Sequence, residues 1–208
     1  MQTEVRRHAE YAALRATIRE RGTARMLLIP FVFTAWAGVA IATSAVIAVA
    51  LSTLVPLLVL AAGFEATFAL YTNVERIGRY LQVFHEQDAA VDWEHVSMEF
   101  GRRFSDGGPD PLFARLFMTA VSVNFLPVTL GGTTVEIVVL ALLHFVFIFR
   151  MRHAQTAARR QRAIDLERFQ ALANARPTFA TRVVADAHSM LAGSVRRGSR
   201  IVRTGSGT

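Results

Sequence analysis

From Met26 to Phe64 the chain runs for thirty-nine residues without a charged side chain. An α-helix rises about 1.5 Å per residue, so one helix of that length would measure roughly 58 Å, nearly twice the ~30 Å hydrocarbon thickness of a bilayer. Two spans folded into a hairpin fit better. The turn is expected near Leu51 to Pro56, where Ser52 and Thr53 offer N-cap hydroxyls and Pro56 suits a first helical turn. A second charge-free run, Leu116 to Val135, is divided by Pro127 and Gly131-Gly132 into an outgoing and a returning arm. The expected fold is therefore an all-α integral membrane protein: four transmembrane helices near 26–50, 54–74, 111–130 and 133–149, arranged as two hairpins, with cytoplasmic amphipathic helices.

Composition bounds the rest. The 208 residues are 52% hydrophobic and 19% charged, too apolar for an ordinary globular domain but short of an all-membrane chain. About half of the chain should therefore lie outside the bilayer. All 23 basic residues are Arg, and the net charge is +7. In a membrane protein that excess reads as positive-inside bias rather than nucleic-acid binding. The absence of Cys excludes disulfides, thiolate metal sites and thiol catalysis.

The arginines also orient the chain. Six precede Met26, five lie between Asn73 and Arg115, and twelve follow from Arg150 onward, while the two hairpin turns hold none. Both termini and the central loop are expected in the cytoplasm of a bacterial-type inner membrane. The two halves share a layout of basic segment, hairpin and amphipathic helix, which raises the idea of a parallel repeat.

Outside the spans, residues 1–25 lack the short apolar core and cleavage site of a signal peptide. They read as an interfacial helix capped by Thr3, with Val5, Tyr11, Leu14 and Ile18 as its stripe and Gly22 as its end. The hairpin of 26–74 passes into a cytoplasmic extension, 75–110. No breaker interrupts Leu57 to Gln87, so one helix should leave the membrane carrying Ile77, Tyr80, Leu81 and Phe84, covered by the Trp93 helix or by the helix after Arg150. Following a break at Asp88 to Ala90, Asp92 should cap a short helix with Trp93, Val96, Phe100 and Phe104 on one face. Asp110-Pro111 should open the third span after the loop 105–109, within the hairpin 111–149. Cytoplasmic helices interrupted at Pro177 are expected over 150–192, and a disordered basic tail over 193–208.

The intramembrane polar candidates are Glu65, Asn124, Glu136 and His144, with Thr119 and Ser122 nearby. Ionisable groups at membrane depth are costly and find partners, so Glu65 and His144 are expected as a hydrogen-bonded pair if their helices are neighbours. His85, Asp92, His95 and Glu99 form a weak metal candidate without a standard spacing. A haem would need His144 paired across two subunits, and no cofactor is expected. Arg150, Arg152, Arg159, Arg160 and Arg162 are candidates for anionic lipid headgroups. No nucleotide-binding or hydrolase motif is present. The expected function is a non-enzymatic multi-pass protein, a homo-oligomer or a structural subunit of a membrane complex, partnered by the lipid bilayer. The alternative is a small ion- or proton-coupled channel or transporter using Glu65 and His144. A membrane enzyme or a metal or haem protein ranks third.

Overall fold

A computed structural model describes the backbone of residues 2–46, 50–86, 92–103 and 112–202, and side chains within these segments from residue 4 to 175, Arg102 excepted. The expected features at 88–90, 104–111 and 203–208 lie outside the described residues. The described chain is helical throughout: α1 (Gln2–Ser44), a short 3-10 turn (Leu51–Thr53), α2 (Leu54–Phe84), α3 (Trp93–Arg103), α4 (Ala114–Gly131) and α5 (Thr134–Val202). Four of these helices, α1, α2, α4 and α5, are long and apolar enough to cross a membrane. The chain divides into two units, Met1–Leu166 and Glu167–Thr208. The second continues α5 as helix, and the packing described below belongs to the first.

Several expected boundaries were wrong in one direction, because isolated breakers do not break these helices. α1 passes through Gly22 and contains Pro30, so the amphipathic segment and the first span are one helix. A lone Gly costs only about 1 kcal/mol in a helix interior, which docking of the flanking residues can offset. α5 likewise runs through Pro177 and includes residues 193–202, whereas α4, with Pro127 inside it, ends at Gly131, within one residue of the expected span end. The break between α4 and α5 is confined to Gly132 and Thr133, where the Gly132 N–H bonds the Val128 carbonyl at 3.0 Å. Pro56 does stand in the first turn of α2, and α2 runs unbroken to Phe84. Thr53 precedes α2 as expected, but its hydroxyl donates back to the Ala50 carbonyl at 2.8 Å instead of capping.

α1 and α2 run antiparallel and lie closest of all the helix pairs. The Thr43 hydroxyl donates to the Ser52 carbonyl at one end, and the Tyr80 hydroxyl donates to Glu10 at the other. Between them, Gly63 faces Val32, where an added Cβ would overlap both γ-methyls of the valine. Gly63 is thus required by close approach, not by backbone conformation. Gly63→Ala is expected to cost about 1–3 kcal/mol from overpacking, and Val32→Ala in the same chain should restore most of it. Thermal unfolding of both variants in detergent checks this, and a Gly63→Ala protein as stable as the parent would refute it.

The core forms around Phe64, which is fully buried and makes edge contacts to Phe117 of α4 (centroids 5.4 Å) and Phe147 of α5 (6.0 Å). Phe33 of α1 closes the group against Phe117 at 5.2 Å. Large aromatics thus join α4 and α5 to the pair that small residues hold together, so the two halves are not packed as equivalents. The chain enters α4 through Phe113 in the left-handed region (φ 52°, ψ 28°), a conformation disfavoured for a bulky residue. Its neighbours Leu112 and Ala114, each 1% exposed, are anchored in or beside the core and hold it there.

The stripe on the end of α2 is covered, with Leu81 fully buried and Ile77, Tyr80 and Phe84 half-buried. The Trp93 helix, α3, meets this end of α2 through Glu94 with Arg79 and His95 with Gln82, and α1 adds contacts that were not expected: Arg7 donates to the Phe84 carbonyl at 3.0 Å and Glu10 accepts from Tyr80 at 2.7 Å. On the apolar face of α3, Trp93 is 66%, Val96 44% and Phe100 59% exposed among the described residues.

Candidate functional site

Between the four long apolar helices, the buried polar linkage centres on one amide. Asn124 on α4 is buried, and its Oδ1 accepts from Trp36 Nε1 of α1 at 3.2 Å. Its Nδ2 donates to the Thr53 carbonyl at 3.0 Å, at the start of α2, and to His144 Nε2 of α5 at 3.1 Å. His144 Nδ1 must in turn donate to the Leu140 carbonyl at 2.8 Å, because a carbonyl can only accept. These partners assign the Nδ1–H tautomer and fix which way the amide points. One side chain therefore ties all four long helices together, with both amide hydrogens and the amide oxygen engaged. Phe125 packs its ring against the imidazole with centroids at 5.0 Å, closing that side.

The expected pairing of Glu65 with His144 is not found. Glu65 accepts from Arg150 Nη2 at 2.8 Å on the outer surface, while His144 is buried and spent on Asn124 and Leu140. Helix phase explains the difference: Leu60, Gly63, Phe64 and Thr67 make the inward face of α2, and the turn of about 100° per residue carries Glu65 past its edge to the outer surface. Glu136 does not reach another helix either. Its Oε2 accepts from the Thr133 N–H and hydroxyl, each at 2.8 Å, and its own N–H reaches Thr133 Oγ1 at 3.4 Å. That is a reciprocal capping box, whose signature, Thr-x-x-Glu before an apolar run, stands in the sequence at 133–136. Thr119 and Ser122 bond the carbonyls of Arg115 and Met118 in their own helix and do not join the junction.

A second polar assembly lies where α1, α2, α3 and α5 extend beyond the apolar core. Glu86 Oε2 accepts the Glu94 N–H at 2.8 Å, satisfying one of the free donors at the start of α3, and Oε1 accepts from Arg15 and, at 3.4 Å, from Tyr11. Arg15 also pairs with Glu94 at 2.7 Å. The other oxygen of Glu94 is 3.3 Å from Arg79 Nη2, while Arg79 Nη1 donates to Gln82 at 2.8 Å. Gly78 leaves the space for this, since a Cβ there would come within 2.8 Å of Glu94 Oε2. Glu75 then links Arg79 at 3.8 Å to Arg162 of α5 at 2.8 Å, and Asp165 meets Arg76 at 3.4 Å. The network is an alternating chain of charges rather than a pocket for one sign.

Burial lowers the Arg79 pKa, and the nearby Glu75 and Glu94 offset this only in part. For Arg15 burial acts the same way, but the Tyr11 hydroxyl together with Glu94 and Glu86 outweighs it and raises the pKa. Both remain cations at any physiological pH, so the network has no arginine that switches.

The weak metal candidates are separated. His95 accepts from Gln82 Nε2 at 3.3 Å and donates to the carbonyls of Gln82 and Glu86, each at 3.2 Å, which occupies both ring nitrogens. His85 lies between the Tyr11 and Tyr80 rings, 5.8 Å from each, with Glu10 at 3.9 Å. Glu99 is exposed on α3 and Asp92 half-buried before it. Among the described residues no three His, Asp or Glu side chains converge as a metal site would need. A haem on His144 would have to displace the Asn124 bond, which leaves that expectation without an available nitrogen.

Of the headgroup candidates, Arg150 and Arg162 have partners inside the molecule, Glu65 for the first and Glu75 with the Tyr71 hydroxyl for the second. Arg152, Arg159 and Arg160 are exposed. Sequence reading missed Trp36, Arg15, Arg79 and Glu94, and took Glu86 only as a potential metal ligand, yet these five carry most of the polar linkage. Trp36 alone had a visible signal, an indole donor in mid-span that must find an acceptor. No protein-family model, curated protein or solved structure matches this chain.

Proposed function

We propose that the chain is a non-enzymatic four-span protein of a bacterial-type cytoplasmic membrane, acting as a homo-oligomer or a structural subunit of a larger membrane complex. The four apolar helices form two hairpins in the bilayer, with the arginine-rich ends and both termini cytoplasmic. The observation that carries a structural rather than a transporting role is the saturation of the Asn124 junction. Its amide hydrogens and oxygen go to Trp36, Thr53 and His144, none being left for a substrate. The alternative, a transporter using Glu65 and His144, loses its geometric basis because those side chains bond to different partners.

Assembly is supported by the outer face of α1. Only 11% of its most apolar window is buried within the subunit, against 39% for α2. Ala37, Gly38, Ala42 and Ala45 are exposed there, and nothing lies within 4 Å of where a Gly38 Cβ would be. Such small residues permit a second helix to approach closely.

Two measurements test this reading. A reporter fused after Thr208 should be active only in the cytoplasm. Purified protein in liposomes should pass no protons or small ions, and should migrate as one defined assembly or with partners from native membrane. A proton flux abolished by His144→Gln in a still-folded protein would replace the structural reading with the transport one.

A further inference from the structure

We propose that Arg25 and Tyr71, at the seam between α1 and α2, bind the phosphate of an anionic lipid in the cytoplasmic leaflet. This rests on the membrane reading above and adds a ligand to it. The Arg25 guanidinium carbon stands 5.6 Å from the Tyr71 ring centroid, so one face of the cation is covered by an aromatic. Its Nε is buried with no hydrogen-bond partner, and among the described residues no carboxylate pairs with it. Glu75, the acid one turn along α2 from Tyr71, has its ion pairs with two other cations, Arg162 at 2.8 Å and Arg79 at 3.8 Å. Arg162 adds a second guanidinium to the same tyrosine by donating to its hydroxyl. The local charge is therefore positive, and Arg25 carries the excess.

Depth identifies the counterion. Thr53 to Tyr71 is eighteen residues along α2, about 27 Å of helix, close to the ~30 Å hydrocarbon thickness. With Thr53 at the far boundary, Tyr71 and Arg25 reach the near boundary, where lipid phosphates lie. The next residues toward the membrane centre, Met26 and Leu27, are 59% and 66% exposed, so α1 offers acyl chains apolar surface beside the seam at that depth. A phosphate joined to hydrocarbon matches both parts, whereas a free phosphate matches only the first. The planar guanidinium can also meet two phosphate oxygens at once.

Full-length protein would be delipidated, then titrated with phosphatidylglycerol or phosphatidylcholine in neutral micelles, with bound lipid counted by native mass spectrometry. Parent protein should retain phosphatidylglycerol preferentially, and Arg25→Gln should weaken that binding about fivefold. Arg168→Gln, an exposed arginine further along α5, should leave it unchanged, and millimolar inorganic phosphate should not displace the lipid. As a check independent of variant folding, a headgroup-photoactivatable phosphatidylglycerol on the parent protein should cross-link to residues 21–28 or 68–74. Equal retention of both lipids, equal loss in the two variants, displacement by inorganic phosphate, or cross-links confined to 150–162 would each overturn the site. Failure of the parent protein to enter micelles or bilayers at all would instead refute the membrane reading.

Discussion

Replacing Asn124 by Ala is expected to lower stability by about 2–4 kcal/mol, or roughly 5–12 °C in thermal midpoint for a chain of this size. The amide meets a donor on Trp36, an acceptor on Thr53 and an acceptor on His144, so truncation leaves three buried groups without partners on three other elements. Individual hydrogen bonds inside membrane proteins are modest, averaging about 0.6 kcal/mol in double-mutant cycles. The expected effect exceeds one bond because the partners belong to different helices and cannot pair with each other by small shifts. His144→Ala and Trp36→Phe remove one arm each and should cost less than half as much. Thermal and denaturant unfolding in one detergent would compare the three. An Asn124→Ala midpoint within 1 °C of the parent would show that the junction is incidental to the fold.

The second large effect is expected at Glu94. Glu94→Ala removes the carboxylate shared by Arg15 and Arg79, both of which hold α3 against α1 and α2. Breaking a buried pair by deleting one partner typically costs about 3–5 kcal/mol, because the remaining charge stays buried. Here Arg79 keeps Glu75 at 3.8 Å and Arg15 keeps Glu86, so the lower end of that range applies. The loss should fall on α3 rather than on the whole molecule. Backbone amides of Trp93–Arg103 should exchange about a hundredfold faster, while those of α4 change little. Gly78→Ala tests the same contact from the other side and should loosen α3 in the same direction, since its Cβ would press on Glu94 Oε2. Uniform acceleration across all helices, or none in α3, would contradict the assignment of Glu94 as the anchor.

Much of the architecture was legible because it depends on local composition. The charge-free runs mark helices long and apolar enough to span a bilayer, and the lack of Pro or paired Gly from Leu57 to Gln87 marks an unbroken α2, although the helix stops at Phe84, short of that expected end. Where sequence reading failed at boundaries, it gave too much weight to isolated breakers: Gly22 and Pro177 both lie inside helices, since flanking turns and packing can offset one defect. The Glu136 role was also legible in the Thr-x-x-Glu spacing, although membrane context first suggests an intramembrane carboxylate.

Partner choice was not legible in this way. Sequence marks Glu65 and His144 as polar groups at membrane depth that need partners, and both do have them. Which partner depends on rotation: Phe64 fills the inward position of α2 and turns Glu65 outward to Arg150, while the phase of α4 carries Asn124 inward to His144. Each of these is set by how four helix surfaces interlock across sequence separations of 20 to 88 residues. The same holds for the N-terminal helix, whose stripe suits a lipid surface as well as it suits α2, until Gly63 and Val32 bring the two helices into register. Sequence alone thus determined that these segments are apolar, helical and bordered by arginine, because those properties reside in single segments. Tertiary structure decided which polar atoms meet, because that depends on the relative rotation and depth of helices distant in the chain.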